Sequence, residues 1–100
     1  MKHSKINQKV NMRLLPLTSA QIRAARALLR WTAEDLAHSS ALSVATIRRA
    51  ELTEEATMMT TANDLAVRRA FEAAGVEFID ENGGGPGVRL RNRAQKTPPK

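Results

Sequence analysis

The residues best equipped for chemistry are arginines. Arg48 and Arg49 stand side by side on a short segment that opens at Ser43 and runs through Val44, Ala45, Thr46 and Ile47. A guanidinium carries a rigid fork of donors that matches a guanine edge or phosphate oxygens. Other reactive groups are sparse. There is no cysteine, so disulfides, thiol chemistry and cysteine-type zinc sites are excluded. The two histidines, His3 and His38, are far apart and do not suggest a metal site. No Ser/His/Asp, Cys/His or paired-carboxylate arrangement stands out. The sequence therefore points to a binding protein rather than an enzyme, with no cofactor.

Charge supports a binding role and locates part of it. The 100 residues make one domain's worth of chain, with 16 Lys+Arg, 10 Asp+Glu and a net charge of +6. Residues 1–17 carry Lys2, Lys5, Lys9 and Arg13 without an acid (+4). Residues 18–81 set seven arginines against ten acids (−3). Residues 82–100 carry Arg89, Arg91, Arg93, Lys96 and Lys100 without an acid (+5). Basic ends hold phosphates in nucleic-acid binders, and they also occur as plain solvated tails. No apolar run approaches the ~18 residues of a membrane span, and the N-terminus has no apolar signal core. A soluble, cytoplasmic protein is expected. Met12 is a second candidate start.

The elements that must position the arginines can be read in turn. Residues 1–17 form an expected flexible basic arm, with Pro16 interrupting any helix. Thr18 and Gln21 have capping-box spacing, and Ile22, Ala25, Leu28 and Leu29 recur at helical intervals. These predict a first helix over 19–29. Thr32 and Asp35 make a second box, opening a helix of about seven residues that ends at Ser39-Ser40. Ser43 caps a third helix over 44–51. Residues 53–60 read as a loop in which Glu54-Glu55-Ala56 can hold a turn. Thr61 and Asp64 suggest one more box, with a fourth helix over 62–74 stopped by Gly75. Strands at 76–79 and 88–91 then form a hairpin around the turn-rich Asp80–Gly87. Its glycines neither open a helix nor precede Lys-Ser/Thr, so they read as a turn rather than a phosphate cradle. Residues 92–100 are expected to be a disordered basic tail.

In this arrangement Leu36 and Ala37 pack against Ile47, and Leu42 plugs the turn. Val44, Ala45, Thr46, Arg48 and Arg49 point away from the core. Trp31 is expected in the core, Met58 and Met59 as a cap over the bundle, and His38 as a cation suited to a helix end.

Three stretches carry a resemblance: Ile22-Arg-Ala-Ala-Arg-Ala-Leu-Leu-Arg-Trp31, Thr32-Ala-Glu-Asp-Leu-Ala37 and Leu42-Ser-Val-Ala-Thr-Ile-Arg-Arg-Ala-Glu51. Over about residues 19–75 the chain resembles the Cro/CI-repressor-like helix-turn-helix (Xre) family. The stretch from Gly75 to Arg91 is similar to the ending of a branch of small bacterial regulators in that family. The resemblance implies a mainly α fold: a compact four-helix, lambda-repressor-like helix-turn-helix domain over 18–75, with a C-terminal β-hairpin over 76–91. It also implies a transcriptional regulator, a repressor or small controller, with helix 44–51 in the major groove of double-stranded DNA.

Residue by residue, Val44 and Ala45 would meet thymine methyls, and Arg49 would be bidentate to guanine. Ser43, Thr46 and Arg48 would reach phosphate, as would backbone N–H groups near Thr32 and Ala33. Arg26 and Glu51 would form a structural ion pair. A homodimer is expected, with the hairpin as candidate dimer surface. The chain departs from the family at Ala33, where Gln is usual, and at Arg30 and Ala41, where Gly is usual at a corner with positive φ. The alternative is a protein-interaction regulator, an anti-activator or antitoxin-like partner, on the same scaffold without sequence readout. RNA binding has less support, because three aromatics offer no stacking platform.

Overall fold

The computed structural model describes residues 16–92; the expected arm before Pro16 and tail beyond Asn92 lie outside the described residues. The described chain folds into α1 (Ser19–Leu29), α2 (Ala33–Ser40), α3 (Val44–Leu52), α4 (Thr61–Ala73), β1 (Val76–Ile79) and β2 (Gly87–Leu90). It is mostly helical, with four helices and one two-stranded antiparallel hairpin among the described residues. No described helix is long and apolar enough to cross a membrane.

Local chemistry sets the first three helix starts. Thr18 accepts the Gln21 backbone N–H, and the Gln21 side chain accepts that of Thr18. Thr32 and Asp35 repeat the arrangement at α2. Ser43 accepts the Thr46 N–H at α3. Each bond satisfies a donor that the helix itself leaves without a partner.

The start of α4 differs from expectation. The cap is Thr60, whose hydroxyl accepts the Asn63 N–H at 3.1 Å. The expected Thr61–Asp64 box is not formed. Asp64 instead turns inward, and its two carboxylate oxygens accept the Leu17 N–H at 3.2 and 3.3 Å. Leu17 is fully buried and its N–H needs an acceptor, a demand that outweighs local capping. Burial pushes the Asp64 carboxyl above its ordinary range, and the Leu17 N–H pulls the other way.

The core gathers Leu17, Ile22, Ala25, Leu36, Ile47, Ala50, Val67, Phe71 and Val76. Trp31 stacks on Phe71 with centroids 5.6 Å apart, and Phe78 meets Phe71 edge-on at 5.9 Å. The expected methionine cap divides. Met59 packs on the core, whereas Met58 is 82% exposed at φ 67°. Residues 53–60 are a loop, but an anchored one: Ser19 N–H bonds the Glu55 carbonyl, and Thr57 N–H bonds that of Leu17.

The hairpin pairs Val76 with Leu90, Glu77 with Arg89, Phe78 with Val88 and Ile79 with Gly87. Val76, Phe78, Val88 and Leu90 turn towards the core, while Glu77 and Arg89 pair on the other face. Strand β2 begins one residue earlier than expected and ends at Leu90, because Gly87 joins the ladder through its backbone. The Gln21 side chain donates to the Gly87 carbonyl at 3.0 Å and so ties the hairpin to α1.

Candidate nucleic-acid interface

Three residues, Ala41, Leu42 and Ser43, connect α2 to α3. Ala41 adopts the left-handed region at φ 62°, ψ 35°. Its N–H donates to the His38 carbonyl, and that of Leu42 donates to Ala37. These bonds close the end of α2 and turn the chain. Leu42 tucks its side chain against the core. Ser43 then resumes extended backbone and caps α3. The preceding corner, between α1 and α2, has the same geometry: Arg30 sits at φ 60°, ψ 38°. Both positions where glycine is usual in the resembled family thus hold a side chain in the left-handed region, each at a cost of roughly 1–2 kcal/mol.

The inner side of this unit is dry. Leu36, Ala37, Ile47 and Ala50 are buried and belong to one core. With Ile47 and Ala50 inward, α3 turns Ala45, Arg48 and Arg49 to solvent, and Thr46 is half-buried. Val44 departs from the expected outward position. It is half-buried and packs on the core, because three residues before Ile47 is nearly the same helical face. Its methyls are thereby partly withdrawn from any groove-facing surface.

Arg26 and Glu51 form a two-pronged pair joining α1 to the end of α3. Arg26 Nε meets Glu51 Oε2 at 2.7 Å and a second guanidinium nitrogen meets Oε1 at 2.8 Å. The third nitrogen donates to the Trp31 carbonyl at 2.9 Å. The side chains are only 24% and 10% exposed. The hydrogen-bonded Glu51 carboxylate raises the Arg26 pKa, against the effect of burial. Arg23 adds a bond to the Glu51 backbone carbonyl at 2.8 Å. The Ser19 hydroxyl donates to the Ala50 carbonyl and meets the Thr53 hydroxyl, fixing the same helix end.

The remaining α3 arginines have different surroundings. Arg48 pairs with Glu34 of α2 at 2.7 Å, both side chains being 60% exposed. Sequence reasoning passed over Glu34; it lies 14 residues from Arg48, and no local pattern connects them. Arg49 makes no hydrogen bond or ion pair among the described residues. It stands at the rim of a cleft of about 360 Å³, bounded by Thr46, Ala50, Thr53, Thr57, Met58 and Met59. The Thr53 hydroxyl is engaged by the Ala56 carbonyl, and that of Thr57 by the Met59 N–H. Arg49 and the side-chain amide of Asn63, which also lines the cleft, are left without hydrogen-bond partners among the described residues.

The start of α2 offers less to a phosphate than expected. The Thr32 and Asp35 N–H groups are taken by the capping box. Glu34 and Asp35 add two carboxylates in the first turn, and Ala33 is largely buried. Residues 16–92 hold nine arginines, no lysine and ten acids, so the excess positive charge belongs to the chain ends. No group of three or more metal-ligating side chains occurs among the described residues. No protein-family model matches the chain, and no curated protein matches it.

Proposed function

We propose that the protein is a sequence-specific DNA-binding regulator of transcription, a cytoplasmic repressor or small controller of the Cro/CI-repressor-like kind. In this reading α2 and α3 form a helix-turn-helix, and α3 enters the major groove. The observation that carries it is the division of α3: Ile47 and Ala50 are buried against α2, while Ala45, Arg48 and Arg49 share the solvent side. A helix held rigidly on one face and basic on the other meets the geometric need of groove reading.

Each residue then has a role. Arg49, with no competing partner among the described residues, is the base-reading group, bidentate to guanine. Ala45 meets a thymine methyl. Ser43 and Thr46 take phosphates, and Arg48 reaches one only where its pair with Glu34 is opened. The basic ends add sequence-independent attraction. One short helix offers few base contacts, so the protein acts as a homodimer on a two-fold site, with the hairpin as dimer surface.

The test is binding to a duplex from the gene's own upstream region and to a scrambled duplex, across a salt series. The native duplex should win. Arg49→Ala should weaken native binding by about 1–3 kcal/mol and remove most of the preference. Equal binding to both duplexes, or none at moderate salt, sinks the proposal.

One set of observations favours a second reading, a protein-interaction regulator on the same scaffold. Glu34 and Asp35 open α2, and Leu52 and Met58 are 81% and 82% exposed. Complex formation through such a surface would lack the steep salt dependence of phosphate binding.

A further inference from the structure

The Glu34–Arg48 pair bridges α2 and α3 on the side that the proposed function turns towards DNA. We infer that Glu34 is an affinity-setting residue: it holds Arg48 away from the phosphates and so restrains binding to DNA of any sequence, leaving discrimination to Arg49. The inference rests on the DNA-binding reading and goes further, since that reading gives Glu34 no part in setting affinity.

The geometry supports this assignment. Glu34 Oε2 meets a terminal nitrogen of Arg48 at 2.7 Å. Both side chains are 60% exposed, so nothing but this bond fixes the guanidinium. The field of Glu34 also reaches Arg26, whose pKa it helps to raise. Glu34 therefore acts on both Arg26 and Arg48, and Arg49 is left as the one α3 guanidinium without a partner among the described residues. A phosphate that engages Arg48 must displace Glu34 and then sit beside an uncompensated carboxylate. Asp35, next in the chain, adds to that repulsion. Base reading by Arg49 carries no such penalty. Bonds to phosphate position a protein without conveying sequence. A residue that suppresses one of them lowers affinity for DNA of every sequence.

The magnitude follows from counterion release. Binding falls as salt to the power of about 0.9 for each phosphate engaged. One further phosphate engaged therefore strengthens binding about eightfold at 0.1 M salt relative to 1 M.

The experiment measures the full chain against a short duplex of arbitrary sequence and against the upstream duplex, from about 50 to 200 mM salt. It compares wild type, Glu34→Gln, Arg48→Gln and the double variant, each checked for an unchanged circular dichroism spectrum. Glu34→Gln should tighten binding to the arbitrary duplex about fivefold to tenfold at 0.1 M salt and steepen the salt slope by about 0.9. It should tighten binding to the upstream duplex by a similar factor, leaving the preference between duplexes unchanged. Arg48→Gln should change wild-type binding less than about twofold, yet abolish the tightening in the Glu34→Gln background. The inference is overturned if Glu34→Gln leaves affinity and slope unchanged while wild type binds, or if Arg48→Gln costs the same in both backgrounds. If no variant binds either duplex at the lowest salt, the DNA-binding reading fails and takes the inference with it.

Discussion

Two arginine–glutamate pairs hold α3 to its neighbours, and both close at 2.7 Å. Arg26–Glu51 joins it to α1, with side chains 24% and 10% exposed and two parallel hydrogen bonds. Arg48–Glu34 joins it to α2 through one bond, with both side chains 60% exposed. Distance alone would rank them as equals. Burial separates them. Removing a partner inside leaves a charge with little water around it and no paired counter-ion, whereas outside, water replaces the lost partner almost fully. The inner pair therefore maintains the shape of the unit. The outer pair contributes little to the fold, and its two charges stay at the surface where they can act on a ligand.

The largest effect expected of this comparison is on the inner pair. Glu51→Ala should strand Arg26 and cost about 3 kcal/mol in urea or thermal unfolding. For a folded unit of this size that lowers the melting midpoint by more than about 10 °C. The loss should persist at high salt, because a shielded pair is screened little. A cost below about 1 kcal/mol would show that the two pairs differ in appearance only.

The next effect concerns the backbone around the pairs. The corners at Arg30 and Ala41 have nearly the same left-handed geometry, φ 60° and 62°. Arg30→Gly and Ala41→Gly should therefore each stabilise the protein by a similar amount, about 1 kcal/mol once glycine's greater freedom in the unfolded chain is counted. Equal stabilisation would show that corner strain is shared evenly and that the unequal parts of this unit are its two ion pairs. Unequal stabilisation would mean that the surroundings of Arg30 and Ala41, rather than their nearly equal φ, set the strain at each corner.

What could be read from the sequence, and what could not, divides along the same physical line. Helix α1 was legible to its ends because the Thr18–Gln21 box and the Ile22/Ala25 spacing are local. The inward placement of Leu36, Ala37 and Ile47 was legible for the same reason. The cap of α4 was not. Thr60 and Thr61 are adjacent and equivalent by type, and the group that decides between them is the Leu17 N–H, 47 residues from Asp64. Val44 was misplaced because a helix of two and a half turns shows too little periodicity to place the edge of its apolar face. At the site, Arg26 and Glu51 came from a family resemblance rather than from spacing. Glu34 had no signal at all, since its partner is on another helix and a lone surface acid resembles any other.

The smallest expected effect tests the outer pair. Glu34→Gln should change unfolding stability by no more than about 0.5 kcal/mol, because exposed pairs gain little over their hydration and side-chain entropy. Even that should vanish at about 1 M salt, where the screening length falls to about 3 Å. The same substitution is expected to move DNA binding by close to an order of magnitude. A residue that matters to stability and to binding in such unequal measure is placed for its electrostatic field rather than for the fold. If Glu34→Gln instead costs as much as Glu51→Ala and resists salt in the same way, the outer pair is structural, and Arg48 is committed to the scaffold.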